Sequence, residues 1–332
     1  MSGIKIIGTG SYIPEFVADN NKFSEILDTS DEWITPRTGI KERRISTDKP
    51  NYYMGAEAAK NALCDAGVDA KDIGLILLST CSPDFFYPSA SCLIQHAIGA
   101  DNAACIDVNS ACTGFITAID IAHKYLAADP SMKILIVASE RLSTQLDYTD
   151  RAMCILFGDG AGAAVVTGSD KSCYTTLGAA GDEFKALYCK VNYQSNCPWH
   201  GDINEFYENR FDTESKQHFL QSDGHAVYKF AVNAMNNAVR TVLDKAGCAV
   251  EDIDLVIPHQ ANLRIIDKAT EMLGVSPDKV FKNIHKFGNV SSACIPLALD
   301  ELKKEGKLHS GMKVCFVGFG AGLTYGAILM DI

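Results

Sequence analysis

The stretch Asp107-Val-Asn-Ser-Ala-Cys-Thr-Gly-Phe115 joins two elements of different kinds. Residues Ala103–Ile106 before it are typical of the end of a short strand, and apolar residues recur at helical spacing from Phe115 to Leu126. Cys112 therefore lies where a helix is predicted to begin. The unpaired N–H groups and the positive dipole end at that point favour a thiolate, so Cys112 is the candidate nucleophile among twelve cysteines. The alternative is a small buried apolar residue, the commoner role of a free cysteine.

The overall composition limits the classes of protein that fit. A chain of 332 residues with 47% hydrophobic content can form two ordinary domains or one large α/β unit. The formal charge of −11 argues against binding to nucleic acid or to a membrane surface, because phosphate-rich partners need a basic face. The sequence has no signal-peptide pattern and no apolar run of transmembrane length, so we expect neither a nucleic-acid nor a membrane partner.

The cysteines indicate a reducing compartment. All twelve occur without paired CxxC clusters or a small disulfide framework, which is typical of a cytosolic protein, and we predict a cytoplasmic location. Metal-binding spacings such as HExxH are absent from the sequence as well, so no bound metal is predicted.

An internal repeat divides the chain. Ala66-Gly67, Asp72-Ile73 and Leu75 recur as Ala246-Gly247, Asp252-Ile253 and Leu255, at a spacing of 180 residues (255 − 75). Asn109 and Asn289 are separated by the same spacing (289 − 109). Several matches at one offset predict a duplication. Each half has a βαβ-like pattern, so we expect parallel central strands that are covered by helices on both faces.

We place the two predicted halves at residues 1–174 and 175–332. The second half contains an irregular insertion at about 183–222, which is rich in aromatic residues such as Trp199 and has no clear periodicity. A loop this long in a compact domain is either functional or mobile. The sequence leaves open whether the segment lines a binding pocket or forms a surface excursion with its own small core.

Two polar residues of the second half are candidates to act with Cys112, because two packed halves place corresponding loops around one cleft. His259 follows the predicted strand Ile253–Ile257, at the carboxyl end where open α/β sheets bind ligands. Taken alone, a histidine is more often a satisfied structural residue. Asn289 follows Gly288, where an asparagine often does no more than form a turn.

Two glycine-rich segments superficially match a dinucleotide-binding motif. Gly158–Gly162 and Gly318–Gly322 are each followed by residues typical of a strand, whereas that motif requires a helix. We therefore predict strand-to-strand turns, whose backbone N–H groups can approach an oxyanion.

Several longer motifs occur in one order along the chain. Together with the Cys112 turn they are Asp28-Thr-Ser-Asp-Glu-Trp-Ile34, Arg37-Thr-Gly39, Thr149-Asp-Arg151, Phe157-Gly-Asp-Gly-Ala-Gly162, His259-Gln-Ala-Asn-Leu-Arg264, Gly288-Asn289 and Gly318-Phe-Gly-Ala-Gly322. In this order they resemble the β-ketoacyl-[acyl-carrier-protein] synthase III family, the condensing enzymes that initiate type II fatty acid synthesis. The resemblance implies a thiolase-like α/β fold, with a five-layered αβαβα core built from two duplicated halves, and a homodimer. It implies no cofactor, because acyl-CoA is a substrate.

The resemblance also implies a chemistry. Cys112 takes an acyl primer from acyl-CoA as a thioester, and His259 and Asn289 stabilise the enolate that forms when malonyl-acyl-carrier-protein loses carbon dioxide. The enolate then attacks the acyl-Cys carbonyl and gives a 3-oxoacyl product. The N–H groups of Cys112 and Ala321 form the second oxyanion hole. Ala321 replaces a glycine of many family members, which is a mild change if its φ is negative.

Three groups of binding residues follow from the same resemblance. The coenzyme A site comprises Trp33, Arg37, Arg151, Asn262 and Arg264. The acyl pocket comprises Phe157, Phe319 and a Tyr87 that reaches in from the partner subunit. The surface for docking of acidic carrier protein comprises Lys229, Arg264 and Lys268.

Two other functions remain open at the level of sequence. One keeps the acyl-Cys112 intermediate but transfers the acyl group to an oxygen or nitrogen nucleophile, or performs a specialised condensation in secondary metabolism. The other is a non-catalytic subunit of a synthase, and the presence of Cys112, His259 and Asn289 together argues against it.

Overall fold

Two mixed β-sheets and the helices that cover them form the fold in the computed structural model, which describes residues 3–191 and 218–332. The strands in chain order are β1 (Gly3–Tyr12), β2 (Phe16–Asp19), β3 (Glu42–Ile45), β4 (Ile73–Ser79), β5 (Ala104–Val108), β6 (Lys133–Arg141), β7 (Asp159–Ser169), β8 (Cys173–Ala179), β9 (Leu187–Tyr188), β10 (Gln221–Ser222), β11 (Leu255–Pro258), β12 (Lys313–Gly320) and β13 (Thr324–Asp331). The helices are α1 (Asn20–Ser24), α2 (Asp31–Thr38), α3 (Asn51–Ala66), α4 (Ala90–Ile98), α5 (Gly114–Ala128), α6 (Gly224–Ala246), α7 (Leu263–Leu273), α8 (Ile284–Phe287) and α9 (Cys294–Lys304).

The strand order is β1-β7-β6-β4-β5 in the first sheet and β11-β12-β13-β8 in the second. The expected parallel pairs are present, since β4 is parallel to β5 and β6, and β11 is parallel to β12. However, β7 and β13 are antiparallel to both of their neighbours. For β13 the reason is the short turn after β12, because a turn of that length joins only antiparallel strands.

The layers follow the predicted αβαβα order. Helices α5 and α9 lie between the two sheets in one apolar core, where Phe115 of α5 contacts Phe316 of the second sheet edge-on at 6.4 Å. Helices α3 and α4 cover the outer face of the first sheet, and α6 and α7 cover that of the second. The predicted five-layered α/β fold is therefore confirmed.

The duplication is visible in the backbone itself. A one-turn 3-10 helix precedes each central helix, Ala111–Thr113 before α5 and Ser291–Ala293 before α9. Ala111 has a φ of 44° and Ser291 has a φ of 46°, and these are the positive-φ residues other than glycine in the described part of the chain. The two residues are 180 positions apart (291 − 111), so each half has the same strained turn.

The two glycine-rich segments differ from each other. Gly318–Gly322 forms the end of β12 and the turn into β13, as predicted. Gly158–Gly162 instead leads into and forms the start of β7, so the prediction of a strand-to-strand turn was wrong there. The segment pairs with β1 and β6 as part of β7, and residues 151–156 before it form turns, so it is not the turn of a hairpin.

The boundary between the halves stays a prediction, although the chain passes from the first sheet to the second between Ser169 and Cys173. The centre of the predicted insertion lies outside the described residues. At its ends, Gly181–Ala186 forms a 3-10 helix and β9 pairs with β10 in a short antiparallel ribbon.

Candidate active site

Cys112 lies in the strained turn that opens α5, as the sequence predicts for a residue at a strand-to-helix junction. Two glycines make room for this turn. A Cβ atom added to Gly320 would lie 2.7 Å from the Cys112 backbone nitrogen, and one added to Gly114 would lie 1.7 Å from the Ser79 hydroxyl oxygen. Both approaches are closer than carbon atoms allow, so the turn requires glycine at these positions.

The surroundings of the Cys112 thiol favour its protonated form. Burial is the main cause that raises its pKa to about 12; the Glu140 carboxylate acts in the same direction, and a hydrogen bond with Ser291 acts against it. The expectation that the helix end makes Cys112 a ready thiolate is thus corrected: the cost of placing an anion in a buried position outweighs the helix end. Attack by the sulfur therefore requires that a proton leave during the reaction.

His259 follows β11 and is fixed by its backbone, whose N–H donates to the Val317 carbonyl at 2.8 Å. The imidazole is buried, and burial lowers its pKa to about 3, so it is neutral at physiological pH. Its ring contacts Phe319 edge-on at 5.7 Å. Neither ring nitrogen has a hydrogen-bond partner among the described residues. A neutral imidazole provides one N–H donor and one acceptor, and both remain unpaired in a side chain that lines the cavity described below.

Asn289 is held in one orientation. Its backbone N–H donates to Leu156 at 2.9 Å, and its carbonyl accepts from Gly158 at 3.0 Å. The side-chain oxygen Oδ1 accepts the Ser291 backbone N–H at 2.8 Å. Because Oδ1 is occupied in this way, the amide group presents the Nδ2 donor to the cavity that Asn289 lines.

One cavity of about 430 Å³ brings these residues together. Cys112, His259, Asn289, Phe157, Phe319, Ala321 and Asn262 all line it. The ends of the irregular segment line it too, through Phe184, Leu187, Tyr188, Cys189 and Leu220, so the described part of that segment borders the cavity. Sequence reasoning missed Cys81, Leu142, Gln145, Met153 and Ser291 on the walls, because none of them belongs to a motif.

Ala321 follows β12 at the turn that approaches Cys112. Ala321 is not among the positive-φ residues of the described chain, so its backbone accommodates an alanine without strain. The replacement of glycine by alanine is therefore mild, as the sequence analysis expects for a negative φ. The next residue, Gly322, has a φ of 139° and supplies the unusual conformation of the turn.

Three predicted coenzyme A residues form a stack at the surface. Ser30 caps α2 by accepting the Trp33 N–H and so fixes the start of this helix. The guanidinium groups of Arg37 and Arg151 lie 4.5 and 5.1 Å from the Trp33 ring. Arg151 also donates to the Asp28 carbonyl at 2.7 Å.

Asn262 connects this stack to the cavity. Its Nδ2 donates to the Arg37 carbonyl at 3.2 Å, and its Oδ1 caps α7 by accepting the Arg264 N–H. Since Asn262 also lines the cavity, the predicted coenzyme A residues form a path from the surface toward Cys112.

The three residues predicted to dock a carrier protein lie on the outer helices. Lys229 is exposed on α6, and Arg264 and Lys268 are exposed on α7. Lys268 forms an ion pair with Glu271 at 3.0 Å, which neutralises part of the positive charge on this surface.

Tyr87 does not line the cavity of its own chain. It lies in a loop beside Phe85 and Phe86, and these three side chains are 87%, 55% and 68% exposed. A single chain therefore does not bring Tyr87 to Cys112. Phe157 and Phe319, in contrast, are buried and line the same cavity as Cys112.

The described residues, 3–191 and 218–332, contain no helix that is long and apolar enough to cross a membrane. Across the same residues, no three His, Cys, Asp or Glu side chains are grouped so as to hold a metal ion.

A five-layered thiolase-like fold with a cysteine at the start of a central helix defines the class of condensing acyltransferases. Family models match the chain in two places: 3-oxoacyl-[acyl-carrier-protein] synthase III over residues 106–181, and the C-terminal part of the same enzyme over residues 243–332. The chain belongs to the 3-oxoacyl-[acyl-carrier-protein] synthase III family, and the resemblance found in the sequence is confirmed.

Three relatives illustrate the match. The β-ketoacyl-[acyl-carrier-protein] synthase III of Clostridium acetobutylicum is 45% identical over 99% of both chains. The crystal structure of 3-oxoacyl-[acyl-carrier-protein] synthase III from Aquifex aeolicus is 41% identical and has a TM-score of 0.90, covering 99% of this chain and 100% of that one. The priming β-ketosynthase from the R1128 polyketide biosynthetic pathway is 36% identical with a TM-score of 0.89, covering 99% and 96%.

Proposed function

We propose that the protein condenses an acyl primer, carried as a thioester on Cys112, with malonyl-acyl-carrier-protein, and so releases carbon dioxide and a 3-oxoacyl product. One observation carries the proposal: a single cavity holds a buried thiol, a neutral histidine with two unpartnered ring nitrogens and an oriented amide donor. Family membership supports the same reaction, because the matching relatives are named as synthases of this kind.

The first step is acyl transfer. The Cys112 sulfur attacks the thioester carbonyl of acyl-CoA, and coenzyme A leaves as the thiol, so the proton lost by Cys112 is balanced by the proton gained by the leaving group. The buried position of Cys112 keeps the acyl-enzyme away from bulk water, and the Cys112 thiolate is a good leaving group for the third step.

The second step is decarboxylation. The malonyl thioester oxygen accepts hydrogen bonds from a ring N–H of His259 and from Nδ2 of Asn289, and these donors stabilise the enolate formed as carbon dioxide departs. Both donors are preorganised, since His259 is held by its backbone and by Phe319, and Asn289 by Ser291. The apolar walls strengthen the hydrogen bonds by excluding water.

The third step joins the two carbon chains. The enolate carbon attacks the acyl-Cys112 carbonyl, and the backbone N–H groups of Cys112 and Ala321 stabilise the resulting oxyanion. The close approach of Gly320 to the Cys112 nitrogen supports this assignment, because it places the β12–β13 turn directly beside that N–H. Collapse of the intermediate breaks the bond between the acyl carbon and the Cys112 sulfur, and the thiolate that leaves takes up a proton from water.

The binding partners follow from the surface path to the cavity. Acyl-CoA enters with its adenine on Trp33 and Arg151, with Arg37 and Arg264 near its phosphates and Asn262 near the pantetheine. Carrier protein docks on Lys229, Arg264 and Lys268, which are exposed on the helices beside the cavity. The reaction uses no resident cofactor, because coenzyme A and the carrier protein bring both acyl groups.

We also propose a homodimer in which Tyr87 of each subunit enters the acyl pocket of the other. Two observations support it: the highly exposed apolar loop of Phe85, Phe86 and Tyr87, and the position of β5 at the edge of the first sheet, where no strand of the described residues pairs with its outer side. The cytosol is the location we propose, since the eleven cysteines of the described chain are all free.

A panel of acyl-CoA primers tests the proposal. The protein is incubated with each primer, and the adduct is located by intact and peptide mass spectrometry; we expect one acyl group on Cys112. Adding malonyl-acyl-carrier-protein should then release carbon dioxide and the primer-extended 3-oxoacyl chain. Stable labelling of a different cysteine would refute the mechanism.

A specialised condensation in secondary metabolism is the second candidate, and one observation favours it. A priming β-ketosynthase of a polyketide pathway matches the chain over nearly its whole length, so the fold and the site are compatible with that role. The primer panel separates the two roles, because the preferred acyl group identifies the pathway. Acyl transfer from Cys112 without carbon dioxide release would instead favour an acyltransferase.

A further inference from the structure

The side chain of Glu140 is fully buried at the junction of the two halves, and it has no cationic partner among residues 3–191 and 218–332. Its Oε1 accepts the Ser292 hydroxyl at 2.6 Å. Its Oε2 accepts the Ser82 hydroxyl at 2.7 Å and the Cys81 backbone N–H at 3.1 Å, with weaker contacts from the Cys81 thiol and the Thr80 hydroxyl. Every one of these partners donates, so the network is suited to an ionised carboxylate.

The partners of Glu140 are also neighbours of the reacting groups. Ser292 follows Ser291, whose backbone N–H fixes Oδ1 of Asn289 and whose hydroxyl contacts both Cys112 and Cys81. The strained φ of Ser291 leaves this turn dependent on outside contacts to keep its conformation. The strongest such contact on the adjacent residue is the bond between Ser292 and Glu140.

The duplication explains why this carboxylate is present. Glu140 near the end of β6 and Gly320 at the end of β12 are 180 positions apart (320 − 140), and so are Cys112 and Ser292 (292 − 112). In one half the strand end carries a glycine and leaves space beside Cys112. In the other half the strand end carries a carboxylate, which fills the corresponding place and binds the counterpart of Cys112.

We propose that Glu140 is a positioning residue for the condensation: its buried carboxylate holds the Ser291–Ser292 turn, and through that turn it sets the placement of the Asn289 amide and the Cys112 thiol. Glu140 touches neither substrate nor reacting atoms, because it does not line the cavity. The placement of Asn289 matters most in the decarboxylation, so loss of Glu140 should affect condensation more than acyl transfer.

The Glu140→Gln variant tests the proposal, since it keeps the shape and removes the charge. The turnover arm rests on the proposed function: we expect kcat for condensation to fall about 10- to 100-fold, as for a small misplacement of a reacting group, while the KM for acyl-CoA changes little. Unchanged kcat would overturn the proposal.

A second arm is independent of the natural substrates. Iodoacetamide alkylation of Cys112 reports its thiolate fraction, and the titratable groups that face Cys112 are Glu140, Cys81, Cys294 and His259. Removing the negative charge of Glu140 should raise the alkylation rate about tenfold at neutral to mildly alkaline pH. A role confined to general stability would leave this rate unchanged and would overturn the proposal, even if the identity of the substrate proved different.

Two further variants distinguish the positioning effect of Glu140 from the effect of its charge and from a general loss of stability. Ser292→Ala breaks the link but keeps the carboxylate, so it should lower kcat without raising the alkylation rate, and it serves as the test if Glu140→Gln does not fold. Asp300→Asn is the matched control, because Asp300 is a buried carboxylate that binds the hydroxyls of Thr9 and Ser11 away from the cavity. A change of kcat and alkylation in Asp300→Asn equal to that in Glu140→Gln would also overturn the proposal.

Discussion

The turn before α5 and the turn before α9 have similar backbones, but of the two only the first carries a thiol into the cavity. Both contain a left-handed residue, Ala111 or Ser291, followed by Cys112 or Ser292. Cys112 opens onto a cavity of about 430 Å³, whereas Ser292 is 1% exposed and bonded to Glu140. The comparison teaches that a duplicated turn becomes a reactive site only where the facing strand end leaves space.

Replacement of the proposed nucleophile, Cys112, should cause the largest loss of activity. In Cys112→Ser the hydroxyl is a far weaker nucleophile than a thiol in the same position, so we expect no stable acyl adduct and a loss of condensation of about 10⁴-fold or more. Intact mass spectrometry after incubation with acyl-CoA measures the adduct. Cys64→Ser, at an exposed cysteine, is the matched control and should label as the wild type does.

Removal of the histidine should give the next largest effect. In His259→Ala the enolate loses one of two donors, and we expect condensation to fall about 10²- to 10³-fold while the acyl-Cys112 adduct still forms. Rapid-quench assays of acylation and of carbon dioxide release measure the two steps separately.

His309→Ala is the control for the histidine variant, because His309 is exposed before the start of β12, and the site lies at the other end of that strand. If His259→Ala lost acylation and condensation equally, His259 would be the base that takes the Cys112 proton. Such a role is chemically consistent with the site, because burial favours a protonated Cys112 thiol and a neutral imidazole that can accept its proton.

A methyl group at Gly320, at the end of β12, should displace the turn that holds Cys112. The Cβ of Gly320→Ala would lie 2.7 Å from the Cys112 nitrogen, so the turn must shift, and we expect a loss of about 1–3 kcal/mol in the free energy of unfolding together with lower activity. Chemical denaturation measures the stability. Gly181→Ala is the control, since nothing lies within 4 Å of a Cβ there, and unchanged stability in Gly320→Ala would contradict the packing argument.

The sequence predicts the parts of this site that have distinctive motifs. The repeat predicts two related α/β halves, the strand-to-helix junction makes Cys112 the candidate nucleophile, and the loop positions make His259 and Asn289 candidates. The family resemblance adds the five-layered fold and the roles of these three residues. Glu140 and Ser292 were not predicted, because they are ordinary residue types whose contact joins positions 152 apart in sequence.

Two other features also depend on the folded structure. The protonation of Cys112 depends on burial, and the helix start in the sequence indicates the opposite state. The predicted role of Tyr87 stays a prediction, because the acyl pocket that it is expected to enter belongs to a second copy of the chain.

The smallest expected effect is the strictest test of the comparison. If access and not backbone separates the two turns, a cysteine placed at the buried turn should stay unreactive although it shares the strained φ and the start of a helix. In the double variant Cys112→Ser with Ser292→Cys, we expect iodoacetamide to leave residue 292 unlabelled in the native protein and to label it after unfolding in urea. Peptide mass spectrometry distinguishes this site from the exposed Cys64 and Cys92. Fast native labelling at residue 292 would mean that the strained turn alone creates a reactive thiol, and that the space beside Gly320 is not the cause of the difference.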